Sequence, residues 1–105
     1  MDVLFICTFN RWRSLTAEHL FKNLPGHQIM SAGTAATARV KVTAKLINWA
    51  DLIFVMEKNH QEILVQKFPI EVAGKKIVCL NIPSGYRYMD EELVAMLKEG
   101  IKEYL

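Results

Sequence analysis

The sequence predicts a small doubly wound α/β domain, a four-stranded parallel sheet with helices on both faces. Short apolar runs alternate along the chain with amphipathic stretches, which is the pattern of successive βα units. The apolar runs lack polar alternation, as is typical of parallel strands that are buried on both faces. With 105 residues, the chain has the length of one domain, and we expect residues 1–105 to form it.

Four short runs, each with apolar residues at its centre, are the predicted strands. They are Val3–Ile6, Gln28–Ser31, Leu52–Met56 and Lys76–Leu80. Turn-forming residues lie close to them, such as Pro25 and Gly26 before the second run. In folds of this kind ligands bind at the carboxyl ends of the strands, so the loop after the first strand is the predicted site.

The predicted helices lie between and after these runs. Ser14–Leu24 carries apolar residues at the spacing of one helix face, and Val42–Ala50 is a second helix. Asn59 is the predicted cap of a third helix that ends near Phe68, with a glutamate three residues on as in a capping box. Asp90 is the predicted cap of the last helix. The segments 34–41 and 81–89 are the predicted loops.

Composition excludes several classes of function. The apolar fraction is 51%, the charged fraction 23% and the formal net charge +2, which is ordinary for a globular protein and too mild for a nucleic-acid surface. We expect no signal peptide and no membrane span. Two cysteines make no disulfide framework, so a reducing, cytoplasmic location is expected.

The three histidines, His19, His27 and His60, have no metal-site spacing and are predicted surface residues.

The loop after the first strand carries the most specific chemistry. Cys7 stands at the strand end, and Arg13 and Ser14 follow at the start of the next helix. Such a turn presents backbone N–H groups at the positive end of the helix dipole and binds an oxyanion. The dipole and the guanidinium favour the thiolate of Cys7, and Arg13 can hold two phosphate oxygens. Taken singly, Cys7 fits a buried apolar residue, Arg13 a solvated residue and Ser14 a helix cap.

Together these residues predict a phosphate-binding loop, which we name the Cys7–Ser14 loop. Its catalytic candidates are Cys7 and Arg13. Its phosphate-binding candidates are Thr8, Phe9, Asn10, Arg11, Trp12, Arg13 and Ser14.

These motifs resemble the low-molecular-weight protein tyrosine phosphatases. That family opens with a strand, then Cys-x5-Arg-Ser, then a helix similar to the run Arg13–Glu18. The segments Ser31–Thr34, Ala50–Met56 and Cys79–Tyr86 are also similar to the family, in the same order. Family members are usually longer, so the chain resembles a compact subgroup.

The resemblance implies a covalent mechanism. Cys7 would attack phosphorus and form a cysteinyl phosphate that water then hydrolyses, without a metal or cofactor. Arg13 and the loop amides would stabilise the transferring group. Asn10 would hold the shape of the loop, and Ser14 would hydrogen-bond the thiolate. The implied substrates are phosphotyrosine, in a phosphorylated protein, or a small aryl phosphate ester, and the implied protein is a monomer or a weak homodimer.

The general acid departs from the family pattern. Where the family has an aspartate after the last strand, this chain has Ser84. The nearest carboxylate is Asp90, a candidate acid whose alternative role is the helix cap. Losing a general acid typically costs about 10² to 10⁴ in rate, and a phenol leaves with less help than an alkyl alcohol. Aryl phosphates are therefore the expected substrates.

The interior of the loop departs from the pattern as well. Phe9 stands where the family often has glycine, and Trp12 where it often has a second cysteine. Cys79 is no substitute, because the expected strand order places it about 10 Å from Cys7. Arg11 either is solvated or attracts anionic substrates. Tyr86 and Tyr88 either wall the pocket or pack the loop.

The sequence leaves three alternatives to an active phosphatase. A non-catalytic phosphate-binding pseudophosphatase would explain Ser84, whereas retention of Cys7 favours an enzyme. A phosphorylatable cysteine in a sugar-transport carrier of similar fold is a second alternative. An arsenate reductase is the third, although only Cys79 could serve as a further redox cysteine.

Overall fold

The computed structural model describes residues 1–105 and confirms the predicted α/β class. The strands are β1 (Asp2–Cys7), β2 (Gln28–Gly33), β3 (Leu52–Val55) and β4 (Lys76–Cys79). The helices are α1 (Arg13–Phe21), α2 (Ala44–Trp49), α3 (Lys58–Lys67), α4 (Pro69–Val72) and α5 (Glu91–Ile101). All four predicted strands are present with slightly shifted ends.

The sheet is parallel throughout, with the strand order β2-β1-β3-β4. Cys7 pairs in register with Gly33, so the carboxyl ends of β1 and β2 meet at one edge. β3 separates β1 from β4, as predicted, and Cys7 and Cys79 are both free thiols. The Cys7–Ser14 loop therefore leaves a central strand.

Alternate residues of the central strands pack against helices on opposite faces. Val3 and Phe5 belong to the core that includes residues of α1 and α5. Leu4 and Ile6 belong to the core that includes residues of α2, α3 and α4. Both β1 and β3 are buried along nearly all their length, which explains their continuous apolar sequence. The buried strand gives the loop a rigid base.

The N-termini of α3 and α5 test the predicted helix caps. The α5 cap is confirmed, because the Asp90 carboxylate accepts a hydrogen bond from the Glu92 amide at 2.9 Å. The α3 cap was wrong: Glu57 is the N-cap, in a capping box with His60, and Asn59 lies inside the helix. Glu62, three positions after Asn59, has the spacing of a capping box, but α3 begins earlier, at Lys58, close to the end of β3.

The longest helix, α5, has 11 residues. None of the helices has the length and apolar character needed to cross a membrane. No group of three His, Cys, Asp or Glu side chains is arranged to hold a metal ion.

Candidate active site

The Cys7–Ser14 loop leaves β1 and enters the first turn of α1. Asn10 has a φ of 57°, a left-handed conformation that asparagine adopts more readily than most residues. This turn reverses the chain and directs the loop around the N-terminus of α1. The predicted loop position is thus observed.

The carbonyl groups of four consecutive loop residues point away from the loop centre. Each accepts a hydrogen bond from the segment 34–39, which lies behind the loop. The bonds are Thr34 N to Cys7 O (3.0 Å), Ala35 N to Thr8 O (3.0 Å), Arg39 N to Phe9 O (3.0 Å) and Arg39 Nε to Asn10 O (3.1 Å). With its carbonyls fixed outward, the loop is free to turn amide groups inward.

The amide groups of the loop are correspondingly free of protein acceptors. The amides of Thr8, Phe9, Arg11 and Trp12 donate to no protein acceptor, and the amide of Asn10 donates to Cys7 Sγ at 3.3 Å. Unpaired amides at the start of a helix favour an anion. The arrangement is what a phosphate-binding loop requires.

Gly33 allows the loop to lie close against the end of β2. A Cβ atom at this position would lie 2.5 Å from Thr8 O and 2.7 Å from Ala38 Cβ. Because the first contact is with backbone, a side chain here would displace the loop. This is the physical reason for a glycine in the Ser31–Thr34 segment.

Cys7 is buried, and its sulfur has two hydrogen-bond partners. Ser14 Oγ lies 2.9 Å from Cys7 Sγ, and the Asn10 amide donates to the same atom. Asn10 Nδ2 donates to Ser14 Oγ at 2.7 Å and to Ser31 Oγ at 2.8 Å. Donors aimed at sulfur stabilise a thiolate, and the asparagine side chain ties the loop to β2.

Arg13 is buried and held by groups from two other loops. Its Nη1 donates to Glu57 Oε1 at 2.5 Å and to the Ile82 carbonyl at 2.9 Å. Its Nη2 lies 3.5 Å from Thr8 Oγ1. Sequence reasoning missed Glu57, although an acidic residue directly after the third strand was a usable signal. The ion pair fixes the guanidinium plane beside the loop.

These groups line one pocket of about 310 Å³. The lining residues are Cys7, Thr8, Phe9, Arg11, Trp12, Arg13, Glu57, Ser84, Gly85 and Tyr86. Phe9 and Trp12 are about half exposed and give the mouth aromatic walls. Tyr88 does not line the pocket; its hydroxyl lies 2.6 Å from His19 Nδ1. The structure therefore brings most predicted site residues together.

The pocket contains no free carboxylic acid. Ser84 lies in the lining, whereas Asp90, the candidate acid, does not, because its carboxylate caps α5. Glu57 is the only carboxylate in the lining and is committed to Arg13. Partial burial and then the nearby Glu92 and Asp90 carboxylates raise the pKa of Tyr86, so its phenol is a poorer acid than usual.

His60 is fully buried behind the loop, so the prediction of a surface position was wrong. Its Nδ1 accepts the Glu57 amide at 3.0 Å, and its Nε2 lies 2.9 Å from Thr8 Oγ1. Burial, followed by the positive charge of Arg13, lowers the pKa of His60 from 6.5 to about 4. The imidazole is therefore neutral at pH 7.

The buried imidazole makes stability depend on pH. In the unfolded chain His60 binds a proton below about 6.5, whereas in the folded chain it does so only below about 4. The contribution of neutral His60 to the free energy of unfolding is fully present above pH 6.5. About 3 kcal/mol of it is lost as the pH falls toward 4. We expect His60→Gln to reduce the loss of unfolding free energy between pH 7 and pH 4, measured by urea denaturation. His27→Gln is the control, and an equal loss in native protein and His60→Gln would contradict the expectation.

The fold and the site define a class of protein: an α/β phosphatase with its nucleophilic cysteine and its arginine in one loop after the first strand. Comparison with known proteins agrees. A protein-arginine-phosphatase of Geobacillus stearothermophilus is 31% identical, over 79% of this chain and 72% of the relative. A Klebsiella pneumoniae protein assigned as a low molecular weight protein-tyrosine-phosphatase is 32% identical, over 91% and 87%.

Solved structures give the same result. The tyrosine phosphatase Wzb from Escherichia coli K30, in complex with phosphate, has a TM-score of 0.79 at 30% identity and covers 98% of this chain and 94% of its own. No family model matches the chain. On the strength of these relatives, the chain belongs to the low-molecular-weight protein tyrosine phosphatase family. It is a cysteine-dependent phosphatase.

Proposed function

We propose that the chain is a phosphomonoesterase that transfers phosphate from aryl esters, phosphotyrosine above all, to Cys7 and then to water. One observation carries the proposal. The sulfur of Cys7, the free loop amides and the fixed guanidinium of Arg13 meet in one pocket with aromatic walls. Relatives named as tyrosine and arginine phosphatases support phosphorylated proteins as the substrate class.

The residues have distinct roles in the two steps. In the first step the Cys7 thiolate attacks phosphorus, the ester P–O bond breaks, and the leaving oxygen keeps the electron pair. In the second step water attacks phosphorus, the S–P bond breaks, the thiolate returns, and the protons stay with phosphate and solvent. Arg13 and the amides stabilise the equatorial oxygens in both steps. Asn10 and Ser14 hold the loop and the thiolate.

The leaving group determines which esters react. No free carboxylic acid lines the pocket, so the first step has no protein acid to protonate the departing oxygen. A phenol, with a pKa of about 10, departs without a proton far more readily than an alkyl alcohol. The aromatic side chains of Phe9, Trp12 and Tyr86 also suit an aryl ring. We therefore assign aryl phosphates rather than phosphoserine as substrates.

Ser84→Asp tests this account of the missing acid. We expect the substitution to raise kcat/KM toward phosphoserine and other alkyl phosphates about 10²-fold, because a general acid is typically worth 10² to 10⁴. p-Nitrophenyl phosphate, whose leaving group needs little help, should gain much less. The measurement is steady-state hydrolysis of both esters from pH 4.5 to 8.

Matched variants separate the sources of acid. Ser84→Asn is the control for Ser84→Asp, because asparagine has a similar size to aspartate but its amide is not an acid. It should behave as the native protein. Asp90→Asn should also leave the pH profile unchanged, since Asp90 caps α5. Loss of an alkaline limb in Asp90→Asn would show instead that Asp90 swings into the pocket. Equal native rates on aryl and alkyl esters would contradict the assignment of substrates.

Arg11 favours substrates of one charge over another. Its side chain is exposed at the pocket lining and takes part in no ion pair. We propose that it attracts phosphotyrosine with acidic neighbours and repels the guanidinium of phosphoarginine. Phosphoarginine is considered because some relatives are named protein-arginine-phosphatases. An exposed charge is worth up to about 1 kcal/mol.

Arg11→Gln tests this preference. We expect KM for an acidic phosphotyrosyl peptide to rise about threefold. We also expect the rate on phosphoarginine to rise relative to the rate on that peptide. Both changes should shrink at high salt. A preference that does not respond to Arg11→Gln, or to salt, would contradict the role.

A second candidate function is a phosphate-binding module without catalysis, and Ser84 is the observation that favours it. The cysteine-dependent phosphatases among the relatives favour the enzyme. The two differ in one result, because only the enzyme turns over p-nitrophenyl phosphate while both bind inorganic phosphate.

A further inference from the structure

A closed ring of hydrogen bonds joins the Cys7–Ser14 loop to the turn between β3 and α3. The Glu57 amide donates to His60 Nδ1 at 3.0 Å, and His60 Nε2 lies 2.9 Å from Thr8 Oγ1. Arg13 closes the ring, with Nη2 at 3.5 Å from Thr8 Oγ1 and Nη1 paired with the Glu57 carboxylate. Neither His60 nor the Thr8 hydroxyl has a role in the two chemical steps above.

The ring fixes the tautomer of His60. A backbone amide can only donate, so Nδ1 is the acceptor and carries no proton. The neutral ring then carries its proton on Nε2, which donates to Thr8 Oγ1. His60 is fully buried, and its lowered pKa keeps the ring neutral.

The hydroxyl of Thr8 is left with one unassigned hydrogen bond. A threonine hydroxyl has two acceptor positions and one O–H donor. His60 Nε2–H and Arg13 Nη2–H occupy the acceptor positions, so the O–H must point elsewhere. No protein acceptor receives it, and Thr8 lines the pocket together with Cys7 and Arg13.

We propose that the Thr8 hydroxyl donates a hydrogen bond to a phosphate oxygen of the bound substrate, and that His60 is the positioning residue that directs it. The inference rests on the proposed function, because phosphate must occupy the Cys7–Ser14 loop. A hydroxyl that donates to an ionised oxygen forms a charge-assisted bond, stronger than one between neutral groups. The bond would strengthen as charge builds on the transferring group.

Removal of the hydroxyl is the direct test. Thr8→Val keeps the shape of the side chain and deletes the hydroxyl, which is both the proposed donor and the acceptor for His60 and Arg13, whereas Thr8→Ser keeps the hydroxyl. We expect Thr8→Val to lower kcat/KM on p-nitrophenyl phosphate about tenfold and to weaken inhibition by inorganic phosphate to a similar extent. Thr8→Ser should stay within about threefold of the native protein.

His60→Leu tests the positioning role through a double-mutant cycle. We expect His60→Leu to weaken phosphate binding in the native background and to have little further effect in Thr8→Val, since the two residues act through one bond. A merely structural role would lower the thermal midpoint and leave the phosphate affinity of the folded protein unchanged, which would overturn the role of His60. If His60→Leu does not fold, the Thr8 pair still decides whether the hydroxyl binds phosphate.

The same experiment distinguishes failure of the inference from failure of the proposed function. If the native protein hydrolyses p-nitrophenyl phosphate and Thr8→Val is equally active, the function holds and the inference is overturned. If the native protein does not hydrolyse the ester, the function fails, and calorimetric titration with inorganic phosphate decides the inference. Weaker binding to Thr8→Val than to Thr8→Ser supports it, and equal binding overturns it.

Discussion

Replacement of Cys7 by serine is expected to abolish hydrolysis of p-nitrophenyl phosphate, with a loss in kcat of about 10⁵-fold or more, on the scale of nucleophile removal in other enzymes. The reason is chemical. In the proposed mechanism the sulfur is the nucleophile and leaves again as a thiolate, and Ser14 and the Asn10 amide are arranged around it. A serine alkoxide at this position would need a base that the pocket does not provide.

The chain contains its own control for this substitution. Cys79 is a free cysteine at the end of β4, away from the pocket, and its thiol donates only to Asn81 Oδ1. Cys79→Ser should retain native activity. Cys7→Ser should still bind inorganic phosphate, because the amides and Arg13 remain. Activity of Cys7→Ser within tenfold of native would contradict the assignment of the nucleophile.

Replacement of Arg13 by lysine should lower kcat/KM about 10³-fold, within the range for an arginine that stabilises a transferring phosphoryl group. The guanidinium donates to Glu57 and to the Ile82 carbonyl, so its remaining N–H groups are held in a fixed direction. A lysine ammonium keeps the charge but lacks the planar fork. The lysine ammonium would pair with Glu57 or with the phosphate, but it would not hold both in one geometry.

Two further variants complete this experiment, read as kcat/KM and phosphate affinity. Glu57→Gln keeps a neutral partner for Arg13 and should lose less than Arg13→Lys, since the arginine itself remains. Arg87→Lys is the matched control, because Arg87 is exposed and forms no ion pair. A loss in Arg13→Lys no larger than in Arg87→Lys would remove Arg13 from the mechanism.

The fold and the Cys7–Ser14 loop could be predicted because their signals are local. Apolar runs define β1 and β3 directly, and the order cysteine, arginine, serine lies within one strand-to-helix turn. The Asp90 cap is equally local: its carboxylate bonds an amide two residues ahead. In each case the residues that interact are near neighbours in the chain.

The missed features depend on contacts between distant parts of the chain. Glu57 pairs with Arg13 across 44 positions, and His60 meets Thr8 across 52. Nothing in the sequence around His60 distinguishes a buried imidazole from an exposed one, so a surface position was predicted. The cap at Asn59 failed for a related reason, since the end of β3 determines where α3 begins.

The most direct test of the central claim is to trap the intermediate on Cys7. The native protein is mixed with a ³²P-labelled aryl phosphate, quenched in acid within milliseconds and digested for mass spectrometry. We predict one labelled peptide, with phosphate on Cys7, that is present in Cys79→Ser and absent from Cys7→Ser. Turnover of the ester without a phosphorylated Cys7, or label on another residue, would contradict the mechanism.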